Sequence, residues 1–359
     1  MNVLSLFDGM SCGQIALAKL GVKVDNYYAS EIDKWAMKIA KKNFPNMEHI
    51  GDVTQVKASQ LPEIDLLIGG SPCQGFSFAG KQLNFDDPRS ALFFEFVRLL
   101  KECKPKYFLL ENVRMKQEYQ DVISEAVGCK PVKINSSLLC AQNRVRLYWT
   151  NIPNIEQPED KGIVLKDILE DGVVDRDKSF CIDANYFKGG NLKSYFEKHR
   201  RQLVFSKDGL CHVGDADLSG NDSIKRVYHR DGKSPTLTTM GGGHREPKVL
   251  VVPEATKKGY TEIEDGDCFD ATFINSKTRR GRNMKDKSNC LTAANYDYMR
   301  YEHPTYRKLT PLECERLQTV PDNYTEGVSN TQRYRMLGNG WTVDVISHIL
   351  QEMRVERDD

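Results

Sequence analysis

Short apolar runs and helical periodicity take turns along residues 1–150, and that alternation leaves the chain few folds. Val3–Phe7 reads as a strand and Gln14–Leu20 as a helix, with Ile15, Leu17 and Ala18 at helical spacing. Val24–Ser30 and Trp35–Asn43 repeat the pair, and Leu66–Ile68 is a third strand. Ala91–Cys103 is an amphipathic helix stopped by Lys104-Pro105, because the residue before a proline is pushed out of the helical region. Tyr107–Leu110 and Arg146–Thr150 add two strands. Strands separated by helices pair in parallel, so the pattern predicts an α/β domain: a mostly parallel sheet with helices on both faces.

The pattern then breaks. Glycines, prolines and short β-rich runs such as Pro247–Val252 replace helical periodicity, which returns at Pro311–Leu317 and Val343–Arg354. The expected organisation is an α/β domain over 1–165, a smaller β-rich lobe over 166–304, and a segment over 305–359 that returns to the first domain. The 359 residues, 40% of them hydrophobic, suffice for one large or two modest domains. A net charge of +1 supplies no global field, so any binding to nucleic acid must rest on local patches. No apolar run is long enough to span a membrane and no signal segment opens the chain, which predicts a cytoplasmic protein. The ten cysteines form no C-x-x-C pair and read as reduced thiols. The seven histidines show no ligand spacing, so no metal is expected.

The chemistry-bearing residues stand at strand ends, where open α/β sheets bind their ligands. The first strand runs into Phe7-Asp8-Gly9, with Gly13 at the following helix start. Glycine there allows close approach to a ligand, but G-x-G-x-x-G is absent and a pyrophosphate cradle is not indicated. Glu31, followed by Ile32, ends the second strand, where acids bind ribose hydroxyls; Asp52-Val53 offers an acid for an adenine amine. Each acid alone is equally a solvated carboxylate. Together their order suits an adenosyl ligand without phosphates. Cys73, in Gly69-Gly70-Ser71-Pro72-Cys73-Gln74-Gly75-Phe76-Ser77, reads either as a nucleophile or as a strand-end structural thiol. Glu111 follows a buried strand, so desolvation should raise its pKa and make it a hydrogen-bond donor or general acid, unless it merely begins a surface loop. Strand alternation points Arg144 and Arg146 to one face, toward an anion or into a surface salt bridge.

In combination these runs resemble the cytosine-5 DNA methyltransferase family. The resemblance rests on Leu6-Phe7-Asp8-Gly9, Pro72-Cys73-Gln74-Gly75-Phe76-Ser77, Glu111-Asn112-Val113, Gln142-x-Arg144-x-Arg146, Leu309-Thr310-Pro311-x-Glu313-Cys314-x-Arg316-Leu317-Gln318 and Gly338-Asn339-Gly340. It spans residues 3 to about 350, in the family's order. Two departures, Phe7-x-Gly9-x-x-x-Gly13 and Leu92-Phe93-Phe94-Glu95-Phe96, resemble the animal de novo DNA methyltransferases; a third is Trp341 after Gly340.

The resemblance implies a Rossmann-like S-adenosylmethionine-dependent methyltransferase fold with a target-recognition lobe. It implies that Cys73 attacks C6 of a flipped-out cytosine, that Glu111 and Arg146 contact the base, and that Arg144 supports the site. S-adenosylmethionine would be held by Phe7, Asp8, Gly9, Gly13, Glu31, Ile32, Asp52, Val53, Pro72, Asn339, Trp341 and Val343, leaving as S-adenosylhomocysteine. Double-stranded DNA would meet Gln74, Ser77, Lys81, Arg89, Arg226, Thr238, Thr239, Gly241 and Gly242. A monomer of bacterial or phage origin is expected, with no membrane partner and with or without a cognate restriction endonuclease. A branch acting on tRNA carries Pro-Pro-Cys where this chain has Ser71-Pro72-Cys73, and a Cys-Phe-Thr run missing here; an inactive DNA-binding relative would lack one of Cys73, Glu111, Arg144 or Arg146.

Overall fold

The computed structural model describes residues 1–71, 88–190, 195, 198–206, 212–215, 226–228, 248–249, 251–253, 255–262, 268–270, 278, 283–284, 298–300 and 305–355. The chain divides into two compact units: Met1–Glu170, Val174–Leu203 and Lys308–Asp359 form the first, Asp171–Val173 and Val204–Arg307 the second.

The first unit is built on a seven-stranded sheet in the order β3-β2-β1-β4-β5-β7-β6. Its strands are β1 (Asn2–Leu6), β2 (Asn26–Ser30), β3 (Glu48–His49), β4 (Leu66–Gly69), β5 (Tyr107–Val113), β6 (Val132–Asn135) and β7 (Val145–Thr150). β3, β2, β1, β4 and β5 pair in parallel. β7 runs antiparallel to both β5 and β6. The chain moves outward from β1 to β2 and β3, then crosses back to place β4 on the other side of β1. Such a reversal leaves a crevice at the strands' C-terminal ends.

Between the strands lie α1 (Cys12–Lys19), α2 (Lys34–Asn43), α3 (Pro88–Cys103) and α4 (Gln117–Val127). Asp33 caps α2 by accepting from Trp35 N at 2.9 Å, which satisfies one of the amides a helix start leaves without a partner. On one face of the sheet, Leu4, Leu6, Leu67, Phe108, Leu110 and Trp149 pack with Phe93 and Phe96 of α3 and Ile123 of α4 in a buried core. The return segment supplies α5 (Pro311–Leu317), α6 (Asn330–Asn339) and α7 (Val343–Leu350). Thr310 and Glu313 form a reciprocal capping box at α5. Among the described residues the second unit holds short strands, including the antiparallel sheet of Cys268–Asp270 with Asn283–Met284 and Tyr298–Arg300.

Three of the boundaries that differ from expectation are at β5, β7 and α7. β5 continues through Glu111 and Asn112 to Val113, because β7 pairs with all three; Glu111 is a strand residue, not the start of a loop. β7 begins at Val145, so Arg144 precedes the strand instead of sharing it with Arg146. α7 ends at Leu350.

Candidate active site

A cavity of about 510 Å³ opens at the crevice, wholly within the first unit. The turn after β1 forms its floor. Phe7, Gly9 and Ser11 all adopt left-handed backbone conformations, with φ of 56°, 60° and 65°. Only glycine does so freely, so Phe7 and Ser11 are held there by their surroundings. Asp8 N donates to Ser30 O at 3.1 Å, and Gly9 N to Glu31 Oε2 at 2.7 Å, tying this turn to the end of β2. Glu31 Oε1 also accepts from Ile32 N at 2.7 Å and Asp33 N at 2.8 Å. A carboxylate fixed by three amides keeps lone pairs for a hydroxyl donor. Asp52 Oδ1 caps the short turn Val53–Gln55 through Thr54 N at 2.9 Å. Ile32, 76% exposed and lining the cavity, offers an apolar surface there.

The opposite wall comes from β4, β5 and β7. Because β7 is antiparallel, its start lies at the C-terminal end of β5, and Arg146 pairs with Val113. Residues two apart on a strand share a face, so Glu111 stands diagonally across from Arg146. Arg146 Nε meets Glu111 Oε1 at 2.9 Å. Trp341 Nε1, from the return segment, donates to Glu111 Oε2 at 3.1 Å. Gly70 makes that meeting possible: a Cβ there would lie 2.9 Å from Trp341 Nε1 and 3.0 Å from Glu111 Oε2. Asn112 Nδ2 donates to Ser71 Oγ at 3.1 Å, fixing the end of the segment that leads to Cys73.

Arg144 has a different task from Arg146. It is 4% exposed. Its Nη1 donates to Ile182 O at 3.0 Å, and its Nη2 to Gly338 O at 3.2 Å and Gly340 O at 2.8 Å. The guanidinium thus staples the α6–α7 turn instead of facing an anion. Gln142 and Gln318 extend the staple: Gln142 Oε1 accepts from Ile182 N at 2.9 Å, and Gln318 Nε2 donates to Leu337 O at 2.7 Å. Cys181 Sγ lies 3.4 Å from Arg144 Nη1 and 4.0 Å from Arg146 Nη2. Burial opposes ionisation of this thiol, but the two guanidiniums outweigh it and hold its pKa below the usual value.

Nine residues expected around a cofactor line the cavity: Phe7, Asp8, Gly9, Glu31, Ile32, Asp52, Val53, Asn339 and Trp341. Two do not. Gly13 is packed in α1, where a Cβ would strike Ile68 Cδ1 at 2.2 Å, and Val343 is fully buried in α7. Pro72, Cys73, Gln74, Ser77, Lys81, Thr238, Thr239, Gly241 and Gly242 lie outside the described residues. Arg89 falls within α3 and Arg226 within the strand Arg226–Tyr228. The roles of Gln142, Gln318 and Cys181 escaped sequence reasoning. The first two were visible as polar residues beside Arg144 and Leu317, but contacts over 175 residues have no local signature.

The lining favours one ligand chemistry. Five acidic residues (Asp8, Glu31, Asp33, Asp52 and Glu111) line the cavity with two arginines, both already engaged. Such a lining repels phosphates and accepts hydroxyls, amines and cations. Among the described residues no group of three or more His, Cys, Asp or Glu could hold a metal, and no helix is long and apolar enough to cross a membrane.

Comparison with known proteins gives the family and the fold. The family described as C-5 cytosine-specific DNA methylase matches residues 1–122 and 140–354. Orphan methyltransferase M.SPRI of Bacillus phage SPR is 31% identical, covering 98% of this chain and 97% of that protein. Type II methyltransferase M1.ScrFI of Lactococcus lactis subsp. cremoris is 29% identical over 98% of this chain and 77% of its own length. Among solved structures, a mutant of Spodoptera frugiperda DNMT2 matches with a TM-score of 0.54 at 17% identity, covering 98% of both chains, and Entamoeba histolytica EhMeth with 0.54 at 15%, covering 98% and 97%.

Proposed function

The chain belongs to the C-5 cytosine-specific DNA methylase family and is a DNA cytosine-5 methyltransferase, and we propose that its chemistry runs through Cys73, Glu111 and Arg146 beside a cavity for S-adenosylmethionine. The observation that carries this assignment is Glu111, held between Arg146 and Trp341 at the wall of an acid-lined cavity. The fit to S-adenosylmethionine rests on the donor set. Glu31 and Asp52 suit ribose hydroxyls and an adenine amine, Phe7 and Ile32 give apolar faces for a ring, and the two arginines among the described lining residues are already engaged.

The target cytosine must leave the duplex stack, at a cost of a few kcal/mol, before any side chain can reach its C5 and C6. The Cys73 thiolate adds to C6, and Glu111 hydrogen-bonds the ring at N3, stabilising the charge that develops there. Arg146 contacts the same base. Arg144 holds the α6–α7 turn, and so Trp341, in place. S-adenosylmethionine, when bound, supplies the methyl group that C5 takes. A water removes the C5 proton, the C6–S bond breaks, and the Cys73 thiolate is restored. We assign target recognition to the second unit, with Arg226, Thr238, Thr239, Gly241 and Gly242 approaching the duplex. Gln74, Ser77, Lys81 and Arg89 would approach the flipped base. The protein acts as a cytoplasmic monomer in this reading.

DNA carrying 5-fluorocytosine tests the mechanism, because fluorine at C5 blocks the elimination step. The wild type should form a covalent complex that survives denaturing electrophoresis, and Cys73→Ser should form none. Equal absence of the complex in both folded proteins sinks the assignment of Cys73. Bisulfite sequencing of plasmid from expressing cells reads the target sequence directly.

A further inference from the structure

Trp341 stands after Gly340, where this chain departs from the family's pattern, and its indole takes part in two things at once. The residue lines the cavity. Its Nε1 also donates to Glu111 Oε2 at 3.1 Å, while Arg146 Nε meets Oε1 at 2.9 Å. A carboxylate gripped through one oxygen still swings about its stem. A donor on each oxygen fixes both, and each oxygen keeps a second lone pair for another partner. Glu111 is only 9% exposed, so water competes little for these bonds. The indole is itself anchored from both sides. Arg144 Nη2 and Gln318 Nε2 donate to Gly340 O at 2.8 and 3.1 Å, and Thr342 Oγ1 donates to Gln318 Oε1 at 2.8 Å. A cavity wall needs only the apolar faces of an aromatic ring, which phenylalanine would supply. The N–H bond to Glu111 exceeds that need, and so does the bare Cα of Gly70. A Cβ there would lie 2.9 Å from the indole Nε1 and 3.3 Å from its Cζ2.

We propose that Trp341 is a positioning residue for methyl transfer, acting through its indole N–H on Glu111 and not chiefly through affinity for the cofactor. The inference rests on the reading of Glu111 as the group that bonds the flipped base. Trp341 touches no reacting atom in this account. It completes, with Arg146, the pair of donors that hold the Glu111 carboxylate in one orientation. A group that must meet a reacting base loses rate when its orientation loosens, whereas a ligand bound through other residues keeps its affinity. The indole N–H should therefore govern the rate at saturating cofactor and leave the cofactor's dissociation constant almost unchanged.

Trp341→Phe in the full-length protein keeps a ring at the wall and removes the N–H. Calorimetry with S-adenosylmethionine reads Kd, and single-turnover transfer of a tritiated methyl group to unmethylated plasmid DNA reads the rate at saturating cofactor. The rate should fall about tenfold, as loss of a hydrogen bond to a charged group predicts, with Kd within about threefold of the wild type. Gly70→Ala disturbs the same contact from the other side, so the double variant should be no slower than the slower single one. If Trp341→Phe does not fold, Gly70→Ala alone carries the test through the same split between rate and Kd. An unchanged rate, a loss of affinity as large as the loss of rate, or single-variant losses that multiply in the double variant overturns the proposal. A wild-type rate in folded Glu111→Gln overturns instead the reading of Glu111 on which it rests.

Discussion

Gly70 shows how much of this site depends on a missing side chain. An added Cβ would crowd both Trp341 Nε1 and Glu111 Oε2. Gly70→Ala should therefore displace the indole or the carboxylate while leaving the core intact. Single-turnover methyl transfer should fall about ten- to a hundredfold, since small misplacements of reacting groups cost that much. The melting temperature should move by only a few degrees; a normal rate in this variant excludes a role for the Trp341–Glu111 contact. Asp8 makes a second prediction. The folded chain retains this proton up to about pH 6, whereas the unfolded chain loses it near 3.8. The native state thus binds more protons between those values, and stability of the ligand-free protein falls as pH rises through that window, by up to about 3 kcal/mol. Denaturant titrations across that range should show the decline, and Asp8→Asn should show a flatter profile. At this scale the sequence was informative about residue type, because Asp8, Glu31, Glu111 and Arg146 stand at strand ends. It was silent on partners: Trp341 reaches Glu111 across 230 positions, and Arg144 turned out to bind carbonyls.

The α6–α7 turn is the element on which the cavity's far wall depends, and polar contacts hold it in place. Removing the guanidinium in Arg144→Ala leaves the carbonyls of Ile182, Gly338 and Gly340 without that donor in a buried setting. The cost should be about 3–5 kcal/mol, read as a lower denaturant midpoint. Arg144→Lys should recover only part of it, because one ammonium cannot reproduce the planar fork. Close packing sets a second limit. A Cβ on Gly338 would fall 2.2 Å from the carbonyl carbon of Asp183, which is main chain and cannot swing away. Gly338→Ala should weaken cofactor binding and stability together; unchanged values in calorimetry and melting would show that the turn tolerates displacement. These elements were the least legible in sequence. α6, with Tyr334, Met336, Leu337 and Gly338 buried, has no clean apolar stripe, and its burial comes from contacts with distant segments. The strands β1, β4 and β5 were legible because they are buried on both faces and read as continuous apolar runs.

In the proposed reading, cofactor belongs to the first unit and target to the second. Every residue lining the cavity belongs to the first unit, and so do the sheet, the return helices and the Arg144 staple. The alternation that made the first unit readable fails in the insertion, where short strands pair without a regular period. That is why the lobe's sequence suggested its character but not its side-chain contacts. A physical consequence follows from the division. The first unit keeps its own buried core, so replacing residues 204–307 with a short Gly/Ser linker should leave a folded, monomeric protein. Its affinity for S-adenosylmethionine should stay within about threefold of the parent, a change below 1 kcal/mol. Its covalent capture of 5-fluorocytosine DNA should disappear, since the groups assigned to duplex contact leave with the insertion. Far-ultraviolet circular dichroism, calorimetry and the trapping assay measure the three outcomes. Retained trapping at a specific sequence moves target recognition into the first unit. Loss of cofactor binding in a shortened protein that still melts cooperatively shows instead that the cavity needs the second unit to keep its shape.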